Sequence, residues 1–92
     1  MTDKITTELE IKNQRGLHAR AAANFVKVID GLDVEIEVER LGQSVDGNSI
    51  MGLMMLAASI GTTIKISATG KDAKTAIDNL TALINNKFGE EQ

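Results

Sequence analysis

The sequence predicts a two-layer α+β domain, an antiparallel sheet with one wet face and three helices on the other. Three observations carry this. The long strand candidates alternate apolar and polar residues, as antiparallel strands with one solvated face do. Three other segments repeat apolar residues at helical spacing. The two kinds of segment succeed one another as β-α-β-β-α-β-α, an order that packs helices onto one side of a sheet. Leu, Ile, Val and Phe fill 25 of 92 positions, above the level below which a chain stays disordered. A single domain over residues 1–92 is expected, with a thin core and little volume for an enclosed substrate pocket.

The first strand follows from Ile5, Thr7, Leu9 and Ile11 on one side and Thr6, Glu8, Glu10 and Lys12 on the other. Asn13 to Gly16 reads as a loop. From His18 the period changes: Ala22, Phe25, Val26 and Ile29 form one helical face, and Gly31 ends the helix. Asp33 to Glu39 alternates again, with Val34, Ile36 and Val38 inward and Asp33, Glu35, Glu37 and Glu39 outward. Leu41-Gly42 turns the chain into a short returning strand, Gln43 to Asp46, that buries Val45. Gly47-Asn48-Ser49 opens a short helix through about Leu56, apolar on nearly all sides. After Gly61, Ile64, Ile66 and Ala68 mark a fourth strand. The last helix runs from about Asp72 to Lys87 on an inner face of Ala73, Ala76, Ile77, Leu80, Leu83 and Ile84. Glu90-Glu91-Gln92 reads as a loose tail.

Composition excludes several function classes. Ten basic against thirteen acidic residues give a net charge of −3, and the aromatics are two Phe. Nucleic acid is therefore not an expected partner, since its binders cluster cations and stacking rings. Without Cys and with one His, neither a disulfide nor a metal site is expected, and no cofactor is called for. No apolar run follows Met1-Thr2-Asp3-Lys4, so no leader is expected, and no stretch reaches the length of a membrane span. A cytoplasmic protein, with no membrane partner, is the expectation. The outward carboxylates of Asp33 to Glu39 lie on an open strand face where nothing shifts a pKa, so they read as a solvated face and not as an acid–base pair.

The segment Gly16-Leu17-His18-Ala19-Arg20-Ala21-Ala22-Ala23 puts the single His at a loop-to-helix junction. Helix N-termini carry unpaired N–H groups and partial positive charge. An imidazolium is disfavoured there, so a neutral ring able to attack is expected. An anion brought to that ring meets N–H donors and Arg20. These parts suit a phosphorylated histidine. Read plainly, the same residues are a surface His and a nearby Arg.

With Asn24-Phe25-Val26-Lys27 following, this segment resembles the active-site motif of the HPr family, histidine-containing phosphocarriers of the bacterial phosphotransferase system. Asn48-Ser49-Ile50-Met51-Gly52-Leu53-Met54-Met55-Leu56 resembles the family's regulatory-serine helix. Ile64 to Gly70, before the last helix, resembles its closing strand. The resemblance covers nearly the whole chain and implies an open-faced β-sandwich with a four-stranded sheet. It implies that His18 accepts a phosphoryl group on Nδ1 from phosphorylated Enzyme I and passes it to an EIIA domain. Arg20 would steady the phosphate, and the protein would be a carrier with no turnover of its own. The family usually has Pro where this chain has Ala21, which bears on the rigidity of the helix start.

Ser49 has two readings: a helix N-cap, or a phosphorylation site for an HPr kinase/phosphorylase, where a helix start welcomes a phosphate. Ile50, Met51 and Met54, with Leu17 beside His18, are read as a docking patch, while Leu53 and Leu56 turn inward. Lys27 and Arg20 add cationic contacts to acidic partners. The alternative function is a regulatory binding module of the same fold whose phosphorylation state partners read. A monomer is expected. The motifs leave the sugar-transport and nitrogen-related branches both open.

Overall fold

The computed structural model describes residues 4–92. Met1, Thr2 and Asp3, read above for the absence of a leader, lie outside the described residues. The elements come in the expected order: β1 (Lys4–Glu10), α1 (Ala19–Ile29), β2 (Glu35–Arg40), β3 (Gln43–Asp46), α2 (Ile50–Met55), β4 (Thr63–Thr69) and α3 (Ala73–Asn85). A 3₁₀ turn, Lys87–Gly89, follows α3.

The sheet is antiparallel throughout, in the order β1-β4-β2-β3. Its register builds the inner face row by row. Ala68 stands between Ile5 and Ile36, and Ile66 between Thr7 and Val38. These rows meet Ala22, Phe25, Leu80 and Ile84 of α1 and α3 in one apolar cluster. The open face carries the polar set. Lys65 stands between Glu8 and Glu39, and Thr6 Oγ1 lies 3.3 Å from Ser67 Oγ. The acidic row is thus interleaved with the partner strands' polar residues, as a wetted face requires. Asp33 lies outside β2; its N–H donates to Asp72 Oδ2 at 2.8 Å, which ties the start of that strand to the start of α3.

The expectations differ from the structure mainly at the carboxy-terminal end. α3 stops at Asn85, short of Lys87. Asn85-Asn86 are weak helix formers, and the next two residues turn left-handed, Lys87 and Phe88 both at φ 56°. That turn swings the Phe88 ring into the core, 3% exposed. Burying the phenyl ring, worth about 1.5–3 kcal/mol, offsets much of the ~1–2 kcal/mol that each of the two left-handed L residues costs. Glu90 is consequently not part of a loose tail: it is half-buried and bonded back onto the domain. Among the described residues no helix is long and apolar enough to cross a membrane.

Candidate functional site

The loop between β1 and α1 is pinned at both ends. Ile11 N–H donates to Thr62 O and Leu17 N–H to Ala58 O, each near 2.9 Å (2.8 and 2.9 Å). Gly16, at φ 66°, passes so close to the Ala58 carbonyl that a Cβ would lie 2.4 Å from its oxygen. Only glycine meets both demands. Inside the loop Asn13 is fully buried and donates through Nδ2 to Gly16 O at 2.8 Å. Its Oδ1 is buried without a hydrogen-bond partner.

This loop delivers His18 to the N-cap of α1. Its backbone is extended (φ −77°, ψ 179°), its carbonyl accepts from Ala22 N–H at 2.9 Å, and its side chain caps no backbone N–H. The first-turn N–H groups of Ala19, Arg20 and Ala21 therefore lack the side-chain acceptor that most N-caps supply. They leave a site for an anion at the positive end of the helix dipole.

The imidazole is engaged at one nitrogen. Nε2 lies 2.5 Å from Glu90 Oε2, and Glu90 Oε1 accepts from Asn13 Nδ2 at 3.0 Å. Both side chains are largely covered, 16% and 17% exposed. Burial pushes the Glu90 carboxyl up, but the hydrogen bonds from His18 and Asn13 and the charges of His18 and Arg15 outweigh it. The carboxyl ends below its ordinary value and is ionised. A carboxylate only accepts, so Nε2 carries the hydrogen. In the neutral ring the lone pair then belongs to Nδ1, the nitrogen nearer the backbone and the helix start. Beside the pair opens a recess lined by Gln14, Arg15, Arg20, Glu90, Glu91 and Gln92. His18 can act as a nitrogen nucleophile through Nδ1, and the recess brings two guanidinium groups to an incoming anion.

The sequence-derived site residues divide. Arg20 is exposed and lines the recess beside His18. Lys27 is exposed in the last turn of α1, nine residues on and so about 13 Å along the helix axis; it is not brought to the recess. Leu17 must be corrected: it is 5% exposed and joins the core, because its N–H bond to Ala58 turns the chain inward just before the helix. It is not part of an exposed docking patch. Ile50, Met51, Met54 and Met55 are exposed along α2, Met51 most of all at 70%, while Leu53 and Leu56 are buried as expected. α2 packs against α1, so this apolar strip adjoins the helix that His18 starts. Ser49 caps α2, its Oγ accepting from Gly52 N–H at 2.9 Å. Among the described residues no three His, Asp or Glu side chains gather to ligate a metal. Glu90 and Asn13 are the residues that sequence reasoning missed. The available signal was Phe88-Gly89, an apolar anchor followed by a glycine that redirects the chain.

Comparison with known proteins identifies the family of the chain. The family model described as the PTS HPr component phosphorylation site matches residues 5–86. The phosphocarrier protein HPr of Cupriavidus necator is 46% identical over 80 residues, covering 87% of this chain and 90% of that protein. The phosphocarrier protein NPr of Shewanella violacea is 36% identical over 87 residues, covering 95% and 96%. Among solved structures, an HPr from Thermoanaerobacter tengcongensis superposes with a TM-score of 0.90 at 45% identity, covering 96% of this chain and 99% of that one.

Proposed function

From the premise that this chain belongs to the HPr family of phosphocarrier proteins, carriers and not catalysts, we propose that His18 is its carrying residue. Nδ1 takes a phosphoryl group from phosphorylated Enzyme I, which phosphoenolpyruvate charges, and gives it to an EIIA domain. The observation that supports this most is the state of the ring. Nε2 is held by Glu90, so a neutral ring offers its lone pair at Nδ1, at a helix start whose first N–H groups no side chain caps. Arg20 steadies the phosphate from the recess.

The docking surface is the exposed strip Ile50, Met51 and Met54, with Lys27 as an outlying cation for acidic partners and without Leu17. Methionines suit a surface that meets a donor and an acceptor in turn. An HPr kinase/phosphorylase acting on Ser49 belongs to the same proposal. A phosphate there would keep an acceptor at the start of α2 in place of the present hydroxyl. Every group invoked lies on one chain, so a monomer suffices, and a cytoplasmic place belongs to the same proposal.

Intact-protein mass spectrometry after incubation with Enzyme I and phosphoenolpyruvate tests the reading. One acid-labile phosphoryl group is expected on the native protein and none on His18→Ala. A folded native protein that gains no phosphoryl group refutes it.

A further inference from the structure

The contact between His18 and the segment after α3 has a consequence for how a phosphoryl group would be carried. Glu90 reaches the ring because three features align: the Phe88 ring is buried, Gly89 turns at φ 81°, and Asn13 Nδ2 holds the second carboxylate oxygen. A carboxylate so bracketed has little freedom to leave Nε2. Its place relative to the imidazole is that of an orienting acid beside a histidine whose other nitrogen does the chemistry.

We propose that Glu90 is a positioning residue for phosphoryl transfer, holding a proton on Nε2 of His18 through the whole cycle so that Nδ1 alone makes and breaks the phosphorus bond. The inference rests on the reading of His18 as the carrying residue. The steps balance without a proton from solvent. The Nδ1 lone pair attacks phosphorus, and the bond from phosphorus to the donor's leaving atom breaks with its electron pair going to the donor. The ring, still bearing Nε2–H, becomes a cation next to the Glu90 carboxylate. When an acceptor nucleophile attacks phosphorus, the P–Nδ1 bond breaks and its electron pair returns to Nδ1. The ring is again neutral with its hydrogen on Nε2. Glu90 therefore meets a neutral ring before and after carriage and a cationic ring during it, and stabilises the loaded state.

The same arrangement sets how readily the group leaves. A protonated ring departs from phosphorus as neutral imidazole, whereas an unprotonated ring would have to depart as an anion. Holding the proton keeps the loaded carrier poised for transfer, and equally labile to water. The other charged groups at the recess are Arg15 from the loop, Arg20 from the first turn of α1, and Glu91. Glu91, which makes no hydrogen bond to the ring, gives the control for carboxylate charge as such.

The test follows hydrolysis of the loaded protein across pH. Native protein, Glu90→Gln and Glu91→Gln are loaded with phosphoramidate, a chemical phosphoryl donor, and separately with Enzyme I and phosphoenolpyruvate. Loss of the phosphoryl group is followed by mass spectrometry. Removing a carboxylate in contact with the ring should move the midpoint of the hydrolysis profile down by about one pH unit. Above the native midpoint Glu90→Gln should lose its phosphoryl group about tenfold more slowly than native protein, and Glu91→Gln should match native. A profile unchanged in Glu90→Gln, or moved as far by Glu91→Gln, overturns the inference. Loading by phosphoramidate but not by Enzyme I overturns instead the reading on which it rests, so the two failures are distinguishable.

Discussion

Replacing Phe88 by alanine, and separately by glycine, examines the anchor on which the Glu90 contact depends. Phe88 is 3% exposed and sits at φ 56°, ψ 24°. Deleting a buried phenyl ring costs about 3–5 kcal/mol. For a domain of this size the total stability is on the order of 5–14 kcal/mol, so Phe88→Ala should remove a large share of it. Alanine keeps the left-handed strain of ~1–2 kcal/mol, and glycine relieves it. Against that, glycine carries its usual penalty of roughly 0.5–1 kcal/mol from a freer unfolded chain. Phe88→Gly should thus equal Phe88→Ala or exceed it by up to about 1.5 kcal/mol, the reverse of the order at an ordinary site. Urea unfolding of the three proteins, with matched slopes, reads this directly. In both variants the His18 ring resonances should also lose the influence of Glu90. An alanine variant within about 1 kcal/mol of native would show that the ring anchors nothing. A glycine variant more than about 1 kcal/mol below the alanine one would refute the left-handed turn.

Gly16→Ala should destabilise by more than about 2 kcal/mol in thermal or urea unfolding, combining left-handed strain with a Cβ 2.4 Å from Ala58 O; a neutral result would mean that the loop is not pinned there. Ser49→Ala should cost about 1 kcal/mol through the lost cap to Gly52 N–H, measured the same way. Glu90 binds its proton more weakly in the folded protein than its ordinary value of 4.5 implies. Its contribution to stability is present above that value and fades as pH falls through the lower folded one. The stability gap between native protein and Glu90→Gln should therefore narrow on acidification, and a constant gap would contradict the assignment. Met51→Glu should slow phosphoryl transfer at least tenfold while leaving the unfolding midpoint nearly unchanged, since Met51 is 70% exposed. Normal transfer kinetics would remove the docking role.

Much of this protein follows from the sequence alone, because its signals are local. Period-two alternation in β1 and β2 needs only the pleat of a strand, and the helical spacing through Ala22, Phe25 and Ile29 needs only the turn of a helix. Those periods are enough to orient nearly every strand and helix; α2, apolar on nearly all sides, is the exception, and Leu53 and Leu56 read as inward only through the family resemblance. His18 at the head of α1 was equally local, since a loop ending in glycine before an apolar-periodic run marks a helix start wherever it occurs.

What only tertiary structure decided lies where residues distant in the chain meet. Leu17 reads as a neighbour of the site until Ala58, more than forty residues away, claims its N–H and turns it into the core. Glu90 reads as part of a polar end with no period at all. Its role arises because Phe88 finds room between helices, and the cost of a left-handed turn is met by burial that no local pattern records. Local periodicity reports the face that a residue shows to the core, but the nitrogen of His18 that is engaged by a hydrogen bond depends on a carboxylate 72 positions away. Pairing at that separation is set by packing of the whole domain.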